Sequence, residues 1–429
     1  MPHPVTASLG NRSPWLVAAA SLLATVAVNA QQPATSPPAA APAPPPAWQQ
    51  GRGADMADSK LAPHAGKNTE TPASEIPVDK LKVPKGFKVE IWSTGTPGGR
   101  AMVRGDKGKI YLGTRGLGRV YEVTDKGGSR ESRVVVDKLV QPAGVAFQDG
   151  ALYVMAINKV LRFDGIEDKP GVAPVDLTAK FNLPPQQHHN WKYITFGPDK
   201  KLYVPFGGPC NICEPPEEYA QIRRYNPDGS GMEVIVRGVR NSLGFDWHPK
   251  TGDFWFVDQG RDWLGDRGPQ DELNRLTKPG KEFFGYPWCH AEGIPDPEIK
   301  KADPCKGVTK PVALMGPHAS VLGTRFYTGG MFPADYKNSL FVARKGSWNR
   351  NQKFGYDVVN VRIGADGKTA KVTPFLTGFL DEKANTFWGR PAYVLPMPDG
   401  AMLVSDEQLG AIYRVSYAAP AKNAPAKKK

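Results

Sequence analysis

From residue 86 onward one unit recurs six times: an apolar strand, a turn containing Gly or Asp, a strand reading Leu-Tyr-Val or similar, and a strand carrying an Arg or Tyr. The first copy runs through residues 86–92, 109–113 and 119–123, and the second through 143–147, 150–154 and 160–163. The third holds 193–196 and 202–206 around the Pro198-Asp199 turn and ends at 222–229. The fourth contains 242–247 and 253–257, the fifth 322–327 and 339–342, and the sixth 391–395, 401–404 and 411–415. Short β-rich runs separated by Pro/Asp/Gly turns read as strands. Six such units predict an all-β chain folded as a six-bladed β-propeller, because radial packing leaves only short, protected edges. A β-sandwich would not repeat its strands in so similar an internal order. Strand 87–92 is placed to complete the last sheet and close the ring. Polar residues just outside strand ends should then converge at one mouth of a central channel.

The chain ends carry different chemistry. Arg12, the apolar run 14–30 and the small residues Val28-Asn29-Ala30 predict a signal peptide over 1–30, too short for a comfortable membrane span. Residues 31–75, rich in Pro, Ala and Gln, predict an extended, disordered linker. The propeller is expected over 76–418, and 419–429 is a basic tail ending Lys427-Lys428-Lys429. The mature protein is therefore expected to be periplasmic or secreted, with no stable membrane span. Its formal charge of +13 is diffuse, and no Lys/Arg block lies in the globular part. That argues against a nucleic-acid partner and leaves long-range attraction of anions.

Four cysteines fit an oxidising compartment. Three pairings are possible; Cys210–Cys213 and Cys289–Cys305 are expected, the second stabilising by roughly 3 kcal/mol through loop closure. Cys210-Asn211-Ile212-Cys213 is followed by Glu214 instead of the His of a haem site, and has no βαβ context for a redox motif.

Several polar groups sit at predicted strand ends. His188 and His189 precede the third copy, the one copy with an imidazole pair. Arg240-Asn241 precedes a strand of the fourth copy, followed by Asp258-Gln259-Gly260-Arg261 and Gln270-Asp271-Glu272. Lys345 and Arg390 bring cations to the same end of the fifth and sixth copies. A planar Arg beside amides and carboxylates suits a flat, polyanionic, carbonyl-rich ligand. The alternative is structural: Arg240 and Asp271 as a blade-to-blade ion pair.

Five motifs in order, HHNWKYITFGPDKKLYV, GVRNSLGFDWHP, DQGRD with QDELN and FGYP, ARKGSWNR, and GRPAYVLPMPDGAMLVSD, resemble the glucose/sorbosone dehydrogenase family over residues 76–418. These are exported six-bladed propellers that use pyrroloquinoline quinone (PQQ). The resemblance implies His189 as the general base, taking a hydroxyl proton while hydride passes to the quinone C5. It implies Arg240 and Asn241 as cofactor ligands, with Arg240 stabilising charge on the C5 oxygen. Gln259, Asp271, Lys345 and Arg390 would be further cofactor contacts. Calcium would be held by the carbonyls of Gly260 and Arg261, with Glu272 at a second site. Gly208 stands where soluble glucose dehydrogenases carry an Asp, and the Cys210–Cys213 insertion resembles the sorbosone branch. The implied reaction is oxidation of an aldose or sugar aldehyde, with electrons leaving to a quinone or cytochrome acceptor. Competing readings are a calcium-dependent propeller lactonase using Asp258, Asp262 and Asp266, or a non-catalytic binding propeller. The stretch 113–119 is glycine-rich but opens no helix, so it is no dinucleotide fingerprint.

Overall fold

The structure, a computed structural model, describes residues 46–66, 69–185, 188, 189 and 191–418. The expected signal peptide, the start of the linker and the basic tail lie outside the described residues.

Among the described residues are six four-stranded antiparallel sheets, the blades of a propeller. Blade one is Gly99–Arg104, Ile110–Thr114, Val120–Lys126 and Ser129–Val136. Blade two is Gly144–Gln148, Ala151–Met155, Val160–Asp164 and Val175–Asp176. Blade three is Thr195–Phe196, Leu202–Phe206, Gln221–Tyr225 and Glu233–Arg237. Blade four is Gly244–Trp247, Phe254–Asp258, Gln270–Leu276 and Ala313–Pro317. Blade five is Val321–Phe326, Leu340–Arg344, Asp357–Ile363 and Ala370–Leu376.

Blade six takes Pro391–Pro396, Met402–Asp406 and Ala411–Tyr417, and its outer strand is Phe87–Ser93 from the other end of the propeller, antiparallel to Ala411–Tyr417. The ring closes as expected. Residues 87–92 therefore belong to the last blade; the innermost strand of the first is Gly99–Arg104, whose Gly-Arg start shows little strand patterning.

The second strand of a blade has a neighbouring blade on each face. Ile110–Thr114, Ala151–Met155, Leu202–Phe206, Phe254–Asp258 and Met402–Asp406 are accordingly buried along their whole length. Aromatic pairs tie neighbouring blades: Tyr111 with Phe147, Tyr153 with Phe196, Tyr203 with Trp247, and Phe87 with Phe375. Such pairs contribute about 0.5–1.5 kcal/mol each beyond their buried area.

Register fixes where the site can form. Gly244 lies opposite Val257, Val321 opposite Arg344, and Pro391 opposite Asp406. Residues just before a first strand and just after a second strand thus share one rim. Every candidate site residue occupies one of these positions or the start of a third strand.

Residues 46–66, expected within the linker, lie against this rim, and Thr71 N donates to Leu409 O at 3.3 Å. The reason is local: Trp48 and His64 bring aromatic rings into the chain, and the carbonyls of Trp48, Gln50 and Gly51 find side-chain donors on the propeller.

Candidate active site

His189 and Arg240 are brought together by the turn after Leu202–Phe206. Gly208 N donates to Arg240 O at 2.8 Å, and His189 Nδ1 lies 3.0 Å from Gly208 O. A carbonyl can only accept, so Nδ1 carries the proton and the neutral ring keeps its lone pair on Nε2. A Cβ on Gly207 would lie 2.6 Å from His189 O and 2.7 Å from Arg240 O, so this approach requires glycine. His189 is 5% exposed. Burial, then the charges of His188 and Arg240, push its pKa well below 6.5, against the Gly208 hydrogen bond. Burial likewise holds His188 down to about 3.

Arg240 is held on every side of its guanidinium. Nε and Nη2 donate to Asn211 O and Oδ1 at 2.9 and 2.8 Å, Nη1 to Gly260 O at 2.8 Å, and Nη2 to Asp262 at 2.8 Å. Its backbone N–H and that of Asn241 both donate to Asp258 at 2.8 Å, with the Ser242 hydroxyl on the same carboxyl group. Asp406 repeats the device in blade six, accepting from Arg390 N at 2.9 Å. Burial raises both carboxyl groups to about 6.

The Arg240–Asp271 ion pair considered as the structural alternative is not what forms. Arg240 pairs with Asp262, while Asp271 accepts from Gly260 N and Val321 N at 3.1 and 3.2 Å. Burial raises Asp271 to about 7. Gln259 takes Asn241 Nδ2 at 2.9 Å and donates to Val321 O at 2.8 Å, leaving Asn241 Oδ1 buried without a hydrogen-bond partner.

A second group of cations lines the same cavity. Glu407 lies between Arg100, Lys345 (3.4 Å) and Arg390 (3.7 Å). Burial opposes its ionisation, but these three charges hold its pKa well below the usual carboxylate range. Arg115 lies 3.9 Å over the Trp191 ring, and burial lowers it to about 10. Burial, with Arg100 nearby, also pushes Lys345 well down. One glutamate thus serves a cluster of four cations, an imbalance that an anion relieves.

Most of these side chains line one cavity of ≈ 500 Å³, with Asn211, Asp258 and Asp406 bracing it from behind. It brings together His188, His189, Arg240, Asn241, Gln259, Gly260, Asp271, Lys345 and Arg390 as expected. Arg261 and Glu272 are not among its lining residues. The Arg261 side chain, distinct from the carbonyl expected to hold calcium, is fully buried against Asp296 and Glu298, and Glu272 binds Asn274 Nδ2 and Ala291 N, with burial raising it to about 8.

Arg100, Arg115, Glu407 and Asn211 were missed in the sequence. Arg115 and Glu407 follow second strands just as Lys345 does, so equivalence of position around the repeat was the available signal. Asn211 lies inside the Cys210–Cys213 bridge, and both expected disulfides form.

The donor set fits a flat tricarboxylate quinone such as PQQ. Arg100, Arg115, Lys345 and Arg390 suit its carboxylates, and Arg240 with Asn241 its carbonyl edge. Calcium fits less well. Gly260 O already accepts the Arg240 guanidinium, and among the described residues no three His, Cys, Asp or Glu side chains gather to hold a metal. The three carboxylates considered for a lactonase are separately engaged: Asp258 on backbone N–H groups, Asp262 on Arg240, and Asp266 on Asn351 N at 3.0 Å.

Fold and site together define a six-bladed propeller with a histidine facing a cationic axial cavity. The chain belongs to the TrAA12-like family, whose model matches residues 81–418. An uncharacterized protein of Borreliella burgdorferi is 34% identical over 360 residues, covering 81% of this chain and 93% of that one. Among solved structures, the calcium structure of the Trichoderma reesei Family AA12 carbohydrate-active enzyme aligns with TM-score 0.67 and 20% identity, over 82% of this chain and 100% of that one. The holo PQQ domain of pyranose dehydrogenase from Coprinopsis cinerea aligns at 0.64 and 20%, over 78% and 97%. PQQ-bound aldose sugar dehydrogenase from Streptomyces coelicolor aligns at 0.55 and 18%, over 79% and 100%. At such identities the likeness carries the propeller fold. The family-level resemblance read from the sequence is borne out.

Proposed function

We propose that this protein is a PQQ-dependent oxidoreductase that oxidises an aldose or a sugar aldehyde such as sorbosone. The observation that carries the reading is the peptide of Gly208, which joins His189 to Arg240 in a cavity that Arg100, Arg115, Lys345 and Arg390 also line. Arg240, Asn241, Gln259, Asp271, Lys345 and Arg390 would hold the cofactor, with Arg100 and Arg115 added to its carboxylate side. When bound, PQQ supplies the two-electron acceptor for hydride from the sugar carbon.

The rest of the chemistry belongs to this chain. His189 Nε2 accepts the substrate hydroxyl proton, with Nδ1 anchored on Gly208 O so that the lone pair stays aimed. Arg240, fixed by Asn211, Gly260 and Asp262, places positive charge where negative charge develops on an oxygen. Burial keeps the imidazole neutral and strengthens both effects. Electrons would then leave to a quinone or cytochrome acceptor. No step here runs through calcium, for which Gly260 O is the one cavity-lining group among those proposed.

Two disulfides suit an oxidising compartment, and among the described residues no helix is long and apolar enough to cross a membrane. A periplasmic or secreted location is proposed on that basis. The test is titration of purified apo-protein with PQQ, with and without calcium, followed by dye-linked oxidation of a sugar panel. A saturable spectral change and sugar-dependent dye reduction support the reading; neither occurring removes it.

A further inference from the structure

Trp48, Ala62, Pro63, His64 and Gly66 line the same cavity as His189 and Arg240. They come from the segment 46–66, outside the residues 81–418 that match the family. The blades therefore account for only part of the cavity wall.

The segment is seated twice. At its first seat the carbonyls of Trp48, Gln50 and Gly51 accept from Trp263 Nε1, Asn211 Nδ2 and Arg261 Nη2 at 2.6, 2.7 and 2.8 Å. Arg52 lies 4.2 Å over the Trp263 ring. Gly51 has φ +71°, and a Cβ there would lie 2.6 Å from Arg261 Nη2, so the contact demands glycine twice over. At the second seat, His64 Nε2 lies 3.1 Å from both Ser347 O and Tyr356 Oη, and its ring is 4.8 Å from Phe387. Asn211 therefore holds the segment and Arg240 at once.

We propose that segment 46–66 is the outer wall of the substrate pocket, and that Trp48 and His64 are specificity-determining residues admitting a single sugar ring. This rests on the cofactor reading above. Trp48 meets Trp348 edge-on at 5.8 Å, and both line the cavity, giving indole surfaces for the apolar C–H face of a sugar. His64 adds a polar group beside them, and burial with nearby Arg390 lowers it to about 4, so it meets a hydroxyl as a neutral ring. Ligand pockets span roughly 300–1,000 Å³. With a tricyclic cofactor inside ≈ 500 Å³, the room left between the walls is on the scale of one further ring, and the segment stands where a second would extend.

The test uses quinone-loaded protein in three forms: the parent chain, a chain lacking residues 46–66, and the full chain with Trp48→Ala. Quinone affinity is titrated first. Then kcat/KM is measured for a monosaccharide and for a trisaccharide ending in the same reducing sugar. The expected result is unchanged quinone affinity, a monosaccharide KM raised ~10-fold, and a trisaccharide-to-monosaccharide ratio raised ~10-fold in both variants. An unchanged ratio in quinone-loaded variants overturns this proposal alone. An equal rise in kcat/KM for both sugars also overturns it, because the segment would then be an obstruction. Failure of the parent chain to bind quinone overturns the cofactor reading and this inference with it. Trp48→Ala keeps the test decisive if the deletion does not fold.

Discussion

His189 Nδ1 lies 3.0 Å from the main-chain oxygen of Gly208, so a main-chain carbonyl orients the imidazole. A carboxylate would raise the histidine's pKa by its charge. A peptide oxygen fixes the tautomer with a much weaker effect, and burial then dominates.

The pH profile follows from that sign. A base works in its neutral form, and a lowered pKa keeps His189 neutral until the pH falls well below 6.5. The His189 limb of kcat/KM should therefore lie well below pH 6.5, and an inflection near 7 belongs to Asp271, which burial raises to about 7. A proton-dependent limb near the ordinary histidine value that persists in Asp271→Asn and Asp258→Asn would contradict this account of the site.

Gly207→Ala tests the packing that joins base and arginine. The new methyl must push against His189 O and Arg240 O, both under 3 Å away. Overpacking at such a site costs about 1–3 kcal/mol. Thermal denaturation should show that loss, and quinone affinity and turnover should fall together.

Asn211→Ala removes one Arg240 acceptor, the side-chain oxygen, and leaves Asn211 O in place. Loss of a hydrogen bond to a charged group is worth about 1.5–3 kcal/mol, so quinone affinity should drop by roughly 10- to 100-fold. Isothermal titration with PQQ reads this directly. Unaltered affinity would show that the guanidinium needs no support from the Cys210–Cys213 turn.

Cys289→Ser with Cys305→Ser opens a bridge spanning 16 positions in the blade-four insertion. The loop-closure estimate is about 3 kcal/mol. Chemical denaturation should lose that amount while quinone affinity, set by residues outside this loop, stays the same.

The sequence made the ring legible because each blade repeats its own strand chemistry, and because Phe87–Ser93 had no partner nearer than the last copy. It made His189, Arg240 and Lys345 legible because recognisable motifs surround them. Arg100 and Glu407 were hidden by their role: they meet across the junction of blades one and six, 307 positions apart, and no local pattern reports such a pair. Composition did not report the contacts of 46–66. A Pro- and Ala-rich stretch reads as mobile, yet a single ring such as Trp48 and three well-placed carbonyls suffice to seat it on a surface already rich in donors. Arg261 and Glu272 sit beside cavity-lining residues in the chain, but their side chains turn toward Asp296 and Asn274.

The most direct measurement is single-turnover reduction of bound quinone by sugar in the His189→Ala protein, with quinone affinity titrated on the same sample. The account predicts affinity within a few-fold of the parent and a reduction rate lowered by about 10²–10⁴. Quinone reduction at the parental rate, with the cofactor bound, would contradict it.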